Sequence, residues 1–170
     1  MLSKKMVKSL NYQINRELYS AYLYLSMASY ADAEGLNGFA NWFKIQAKEE
    51  EFHAEKMYNY VNQQGERVLV DAIEKPETDF SSMLDLFEKT LKHEKVVTSL
   101  INGLVKLARE ENDYATESFL QWYVTEQVEE EANPAEMIQK INFIGKDGRG
   151  LLMLDKELAS RTFTPPPAEE

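Results

Sequence analysis

The residues best suited to chemistry are Glu50 and His53, which stand three positions apart in a long segment without glycine or proline. On a helix this spacing places a carboxylate and an imidazole on one face, where both could bind one metal ion. The pattern recurs in altered form. Glu17 precedes Glu50 by 33 residues, and Glu94 precedes Gln127, which opens a Gln-x-x-Glu motif, by the same 33. The repeat predicts two helix pairs that direct acidic groups at a shared centre.

The elements that must position these residues are long helices. Seven glycines and five prolines mostly cluster, and the segments between them carry apolar residues at helical spacing. These segments predict helices at residues 3–33, 38–64, 80–108, about 113–145 and roughly 151–160. The sequence therefore predicts an all-α protein, a four-helix bundle with a short C-terminal fifth helix.

The connections set the topology of the predicted bundle. Short links join helices one and two, and three and four, so each pair is expected to be antiparallel. The 15 residues 65–79 contain Pro76 and show no helical period. In extended form they would span roughly 50 Å, the length of the bundle. A long crossover that makes helices two and three parallel is expected, in one domain over residues 1–160, followed by a flexible proline-rich tail at 161–170.

Four acidic residues share the apolar faces of these helices and fall near mid-height: Glu17, Glu50, Glu94 and Glu130. A lone glutamate on a long helix usually faces solvent, but four that converge in a core would cost many kcal/mol. No lysine or arginine lies on those faces at that level. Two divalent cations would balance the four charges, and oxygen ligands with one imidazole and no thiolate suit iron or manganese.

Composition excludes several other classes of protein. The chain has a net charge of −10 and a pI near 4.8, so nucleic acid and anionic membranes are not expected partners. It contains no cysteine, which excludes disulfides, iron–sulfur clusters and thiolate zinc sites. We find neither a signal-peptide core nor a membrane-length apolar run, and the expected location is the cytoplasm.

Several motifs in order resemble those of the bacterial non-haem ferritins from residue 1 to about 160. They are NRELYSAYLYLSMA, GFANWFKIQAKEEEFHAEKMYNY, AIEKP, KHE and FLQWYVTEQVEEE. The resemblance implies a ferroxidase centre in which Glu17, Glu50 and His53 hold a first iron. Glu50 would bridge to a second iron that Glu94 and Glu130 hold.

The resemblance also assigns residues around the two irons. Tyr24 matches the tyrosine that the family places beside the centre, and Gln127 matches a glutamine next to the ligands; both complete the expected catalytic set. A possible third iron site is implied at Glu49, Glu126 and Glu129, with Glu130 shared. Glu51 stands where the related bacterioferritins carry a haem-ligating methionine, so no haem is expected.

The implied function is iron storage. Fe(II) would be oxidised by O2 or H2O2 at the paired site, and Fe(III) mineral would collect inside a homo-oligomeric shell of 24 subunits. The short fifth helix carries four leucines that need a partner surface, which gives weak support for assembly. The alternative is that this helix packs on its own bundle. Two other functions stay open: a di-iron oxidase or peroxidase without storage, and a metal-free helical interaction module.

One departure from the family concerns Pro134, inside the fourth helix. A proline ring clashes with the carbonyl of the residue four positions earlier, here Glu130, at about 3 kcal/mol in a regular helix. We therefore expect helix four to bend just past the centre.

Overall fold

The computed structural model describes residues 1–165, which form five α-helices and no strand. The helices are α1 (Lys4–Ala33), α2 (Asn37–Gln63), α3 (Met83–Glu110), α4 (Tyr114–Ile144) and α5 (Gly148–Leu158). The predicted all-α fold is confirmed. Within residues 1–165, no helix is long and apolar enough to cross a membrane.

Side-chain caps explain where four of the helices begin. A serine or aspartate accepts a hydrogen bond from a backbone N–H in the first turn, at Ser3, Ser82, Asp113 and Asp147. The start of α2 is different. Asn37, a residue type that often caps helices, is instead the first helical residue, and Leu36 before it makes no side-chain cap.

The start of α2 is capped by a residue from the other end of the chain. Asp155 on α5 accepts hydrogen bonds from the N–H groups of Gly38, at 2.7 Å, and Phe39, at 3.0 Å. A carboxylate here also interacts favourably with the positive end of the helix dipole. The contact ties α5 to the bundle.

The crossover from α2 to α3, residues 64–82, runs along α1 in the same direction as that helix. Asn11 accepts from the Leu69 N–H at 2.8 Å, and Asn15 donates to the Ala72 carbonyl at 3.1 Å. Farther along, Ser26 donates to the carbonyl of residue 77 at 2.7 Å. Since α2 runs antiparallel to α1 and the crossover returns along α1, α3 starts at the same end as α2. The predicted parallel arrangement of α2 and α3 is confirmed.

The core consists of two apolar clusters with a polar layer between them. The first cluster includes Met27, Phe39, Phe43, Phe87 and Met137. The second includes Met6, Leu10, Met57, Ile101 and Leu120. On α1, Glu17 lies between Ile14 of the second cluster and Ala21 of the first. The other three long helices also change cluster at mid-length, so apolar packing closes the polar layer at both ends.

The fifth helix packs on its own subunit. Leu154 and Leu158 are buried in the first apolar cluster, whereas Leu152 is 62% exposed and Met153 75% exposed. The packing of Leu154 and Leu158 therefore does not require a second copy of the chain.

The beginning of the tail also packs. The Arg161 side chain donates to the Trp42 carbonyl at 3.1 Å, and the Phe163 ring lies 6.1 Å from the Phe52 ring. The flexibility expected for the tail from residue 161 stays a prediction. The rest of the expected tail, residues 166–170, lies outside the described residues.

Helix α4 is continuous through Pro134, which is buried. Because proline has no N–H, the Glu130 carbonyl lacks its usual partner four residues later. The bend expected at this point stays a prediction.

Gly38 offers a test of the contact between α2 and α5. A Cβ atom there would lie 1.6 Å from the Asp155 carbonyl oxygen, so a backbone segment must move. We expect Gly38→Ala to lower the free energy of unfolding by about 1–3 kcal/mol, the usual cost of overpacking. Thermal melting of the purified protein measures the change.

Gly103→Ala is the matched control, since a Cβ at this α3 position meets nothing within 4 Å. It should be neutral or stabilising by up to about 1 kcal/mol through helix propensity. Equal effects of the two substitutions would contradict a specific contact between α2 and α5.

Candidate metal centre

The polar layer brings together the five ligands expected for two metal ions. Each is at most 4% exposed: Glu17, Glu50, His53, Glu94 and Glu130. Ligand atoms of Glu17, Glu50 and His53 lie within 4.8 Å of one another, and so do those of Glu50, Glu94 and Glu130. Glu50 belongs to both groups, which is the position that a bridging carboxylate requires.

The first group is held by short contacts on α1 and α2. Gln13 donates to the Glu17 carboxylate at 2.7 Å, and His53 Nδ1 lies 3.2 Å from Glu50 Oε2. Tyr123 donates to the His53 carbonyl at 2.7 Å and fixes the backbone of that residue. The Gln13 amide was missed by sequence reasoning, although its position four residues before Glu17 places it on the same helix face.

The other oxygen of Glu50 is the most informative atom of the centre. Glu50 Oε1 is buried and has no hydrogen-bond partner among residues 1–165. A buried carboxylate oxygen without a partner costs free energy and calls for a specific explanation. A cation between the two ligand groups would supply the missing partner, and oxygen-rich ligands suit iron.

The second group is held by neutral donors. Tyr24 donates to one oxygen of Glu94, and Gln127 donates to the other at 3.2 Å. Gln46 donates to Glu130. Tyr24 and Gln127 thus lie beside the centre, as expected from the sequence. Gln46 was not singled out; its place on the inner face of α2 was the only signal available.

Burial raises the pKa values of three carboxyl groups in the centre, because little positive charge lies beside them. It raises the pKa of Glu50 and of Glu130 well above the usual carboxyl value, and the nearby Glu94 carboxylate adds to both shifts. Burial also raises the pKa of Glu94 to about 7, although hydrogen bonds from Tyr24 and Gln127 oppose the shift. Without a cation, the layer takes up protons to limit the repulsion between its carboxylates.

The His53 imidazole also binds a proton more tightly than usual in the metal-free centre. Burial lowers its pKa, but contacts with Glu126 and Glu50 outweigh burial and set the pKa well above the ordinary histidine value. The Glu126 carboxylate lies 3.8 Å from His53 Nε2. Because a metal ligand must be a neutral imidazole, metal binding here displaces protons.

The residues expected to form a third iron site are only partly brought together. Ligand atoms of Glu126, Glu130 and His53 lie within 4.8 Å of one another. Glu49 instead pairs with Arg161, at 2.7 Å. Glu129 is exposed and belongs to none of the ligand groups found in residues 1–165.

His93, the second histidine of the chain, lies outside the centre. Its Nε2 atom is 2.8 Å from Ser20 Oγ, and its ring packs edge-on against Tyr24. Burial and the nearby Arg16 charge lower its pKa to about 4. His93 is therefore a neutral packing residue at neutral pH.

Each of the four long helices contributes one buried glutamate to the centre, and α2 also contributes His53. Glu50 lies between the two ligand groups. This arrangement is typical of di-metal carboxylate proteins. Comparisons with known proteins narrow this class. The family profile described as "Ferritin-like domain" matches residues 7–144. The chain belongs to the ferritin family.

Relatives and solved structures agree over nearly the whole chain. A bacterial non-heme ferritin of Staphylococcus epidermidis is 45% identical over 163 residues, 96% of this chain and 98% of that protein. One from Staphylococcus aureus is 46% identical over the same shares. An open-pore ferritin of Archaeoglobus fulgidus superposes with a TM-score of 0.94 at 52% identity, covering 95% of this chain and 100% of that one. A closed form of that ferritin, engineered by mutagenesis, gives 0.95.

The Glu94 carboxyl group predicts a pH-dependent effect on the metal-free protein. Its pKa rises from 4.5 to about 7 on folding, so the folded state binds the extra proton between these values and loses stability as pH rises through them. Glu94→Gln imitates the protonated form. Near pH 5 the two proteins should melt alike, and near pH 8 the variant should be more stable, on the order of 3 kcal/mol.

Glu88→Gln serves as the control, because Glu88 is an exposed residue of the same helix. Excess Zn(II) should stabilise the parent protein more than Glu94→Gln, since the variant has lost a ligand. A difference in melting temperature that does not change with pH would contradict the raised pKa of Glu94.

Proposed function

We propose that the chain is a ferritin subunit that oxidises Fe(II) and stores the product as Fe(III) mineral inside a protein cage. The observation that carries the proposal is Glu50, whose carboxylate is shared by two buried ligand groups and whose Oε1 has no partner among residues 1–165. Membership of the ferritin family and the names of its relatives support the same function.

The two ligand groups define how Fe(II) would be bound as substrate. Glu17 and His53 hold the first ion and Glu94 and Glu130 the second, with Glu50 between them. Two divalent ions carry four positive charges, which balance the four carboxylates. The first site has a nitrogen ligand and the second only oxygen ligands, so the two ions are held unequally.

Two Fe(II) ions bound side by side can supply the two electrons that reduce one O2 molecule to H2O2. Each Fe(II) gives up one electron, and O2 takes two electrons and two protons to give H2O2. Carboxylate ligands stabilise Fe(III) over Fe(II), which favours this direction, and the apolar clusters keep bulk water from the site. Hydrolysis of the released Fe(III) gives the oxyhydroxide mineral and further protons.

Tyr24 and Gln127 are proposed to set the position of Glu94. They donate to opposite oxygens of the Glu94 carboxylate, and Gln127 also lies 3.2 Å from the Thr98 hydroxyl. Hydrogen bonds of this kind fix the orientation of a ligand and tune the metal that it holds.

Assembly and location complete the proposal. Exposed apolar side chains at the α4–α5 end, Phe143, Leu152 and Met153, would be covered by neighbouring subunits of a homo-oligomer. A shell of 24 subunits, a cytoplasmic location, the absence of haem and a third iron site stay predictions from the sequence.

A non-storage di-iron oxidase or peroxidase uses the same centre without a mineral. The family match does not favour this alternative, because the named relatives are ferritins along nearly their whole length.

Aerobic loading with Fe(II) distinguishes iron storage from Fe(II) oxidation without storage. After the addition of many Fe(II) ions per subunit, size-exclusion chromatography should show an iron core that elutes with a large shell. A monomer or dimer that carries at most two irons would overturn the storage function and leave the non-storage oxidase.

Removal of the shared carboxylate tests the centre itself. Because Glu50 contacts both groups, Glu50→Ala should slow the initial rate of Fe(II) oxidation by roughly 100-fold, since even supporting residues of metal sites cost 10–100-fold. Stopped-flow absorbance of Fe(III) measures the rate.

Glu51→Ala is the control for this substitution, because the neighbouring Glu51 is exposed. It should keep the parent rate. If the two variants oxidise Fe(II) equally fast, the reaction does not use this centre.

A further inference from the structure

Arg161, just after α5, makes four contacts with one face of α2. Its guanidinium donates to the Trp42 carbonyl at 3.1 Å, to Gln46 Oε1 at 3.1 Å and to Glu49 Oε2 at 2.7 Å. It also lies over the Trp42 ring, with Cζ 4.6 Å from the centroid. The Arg161 and Glu49 side chains are each only 21% exposed, so the pair is largely shielded from solvent.

The backbone around Arg161 is anchored as well. The Asn41 amide donates to the carbonyls of Leu158, at 3.1 Å, and of Arg161, at 3.0 Å. Farther along, the Phe163 ring packs against Phe52. We call residues 161–164 the C-terminal strap; they follow the outer edge of α2.

The strap lines a cavity that reaches His53 of the metal centre. This cavity of about 280 Å³ is lined by Glu49, His53 and Glu126 on one side and by strap residues 162–164 on the other. Two carboxylates expected to bind a third iron therefore share a cavity with a metal ligand and with the strap. Arg161 reaches the same Glu49 carboxylate from the end of α5.

A second chain of contacts joins Arg161 to the centre. Gln46 accepts from Arg161 through its amide oxygen and donates to Glu130 through its amide nitrogen. An amide has only one oxygen, so the bond from Arg161 fixes which side of Gln46 faces Glu130. Arg161 thus contacts Glu49 directly and positions Glu130 through Gln46.

We propose that Arg161 is a built-in cation that occupies the third metal position at Glu49, so a third metal ion must displace it and open the strap. The proposal rests on the function proposed above. The ligand is a divalent or trivalent metal cation, which competes with the guanidinium for one carboxylate. The Arg161–Glu49 pair keeps some contact with solvent, from which a metal ion can approach the carboxylate and compete with the guanidinium.

Zn(II) titration of the metal-free, assembled protein tests the proposal, because zinc binds carboxylate and imidazole ligands without redox chemistry. Calorimetry of the parent protein should show two tight sites per subunit and a weaker third. In Arg161→Gln the third site should tighten on the order of tenfold, since one competing charge has gone. Arg161→Lys keeps the positive charge, so the affinity of its third site should lie between those of the parent protein and Arg161→Gln.

Arg67→Gln is the matched control, because it removes one positive charge from an exposed arginine of the crossover. It should bind zinc like the parent protein. The double variant Glu49→Gln/Arg161→Gln shows whether Arg161 acts through Glu49. In that background, the loss of Arg161 should no longer tighten the third site.

The outcomes separate this inference from the function on which it rests. Two tight sites with an unchanged third site in Arg161→Gln would overturn the role of Arg161 and leave the di-iron centre standing. A gain that persists without Glu49 would also overturn it. The absence of two tight sites in the parent protein would instead overturn the proposed centre.

Discussion

The structure depends on the burial of four carboxylates in the middle of an apolar bundle. Each carboxylate has a donor beside it, and for three of them the donor is neutral: Gln13 for Glu17, Gln46 for Glu130, and Tyr24 with Gln127 for Glu94. Neutral donors orient a carboxylate but do not cancel its charge. Metal cations would therefore balance the centre, and protons take their place when no metal is bound.

The internal repeat explains why the two proposed metal positions differ. Glu17 and Glu94 occupy matching places in the two halves, as do Glu50 and Gln127. In the second half, the bridging position carries an amide, and Glu130 replaces the histidine. The Gln127 amide cannot take the role of Glu50 and instead donates to Glu94. One half would thus supply the bridge and the nitrogen ligand, while the other supplies two carboxylates and the amide that orients one of them.

The structural features that could be predicted from the sequence are those that follow from helical periodicity. Apolar spacing located the four long helices, and counting residues along them placed Glu17, Glu50, Glu94 and Glu130 at one height. The contacts that were missed join single residues across long separations. Asp155 caps α2 from the far end of the chain, and Asn37, a good cap by type, lies one residue too late to serve. Nothing in local sequence marks such pairs.

The two positive partners of the carboxylates, His53 and Arg161, differ in exposure, and this difference would decide how a metal ion replaces each. His53 is 3% exposed and lies between Glu50 and Glu126, which raise the pKa of its imidazole, so a cation that binds this imidazole must displace a proton. Arg161 is 21% exposed, and it is tethered near Glu49 by the strap. As proposed, the tethered guanidinium would keep the Glu49 carboxylate paired until a metal ion displaces it. The rim of the centre would therefore exchange a side-chain cation for a metal ion, whereas the buried core exchanges protons for metal ions.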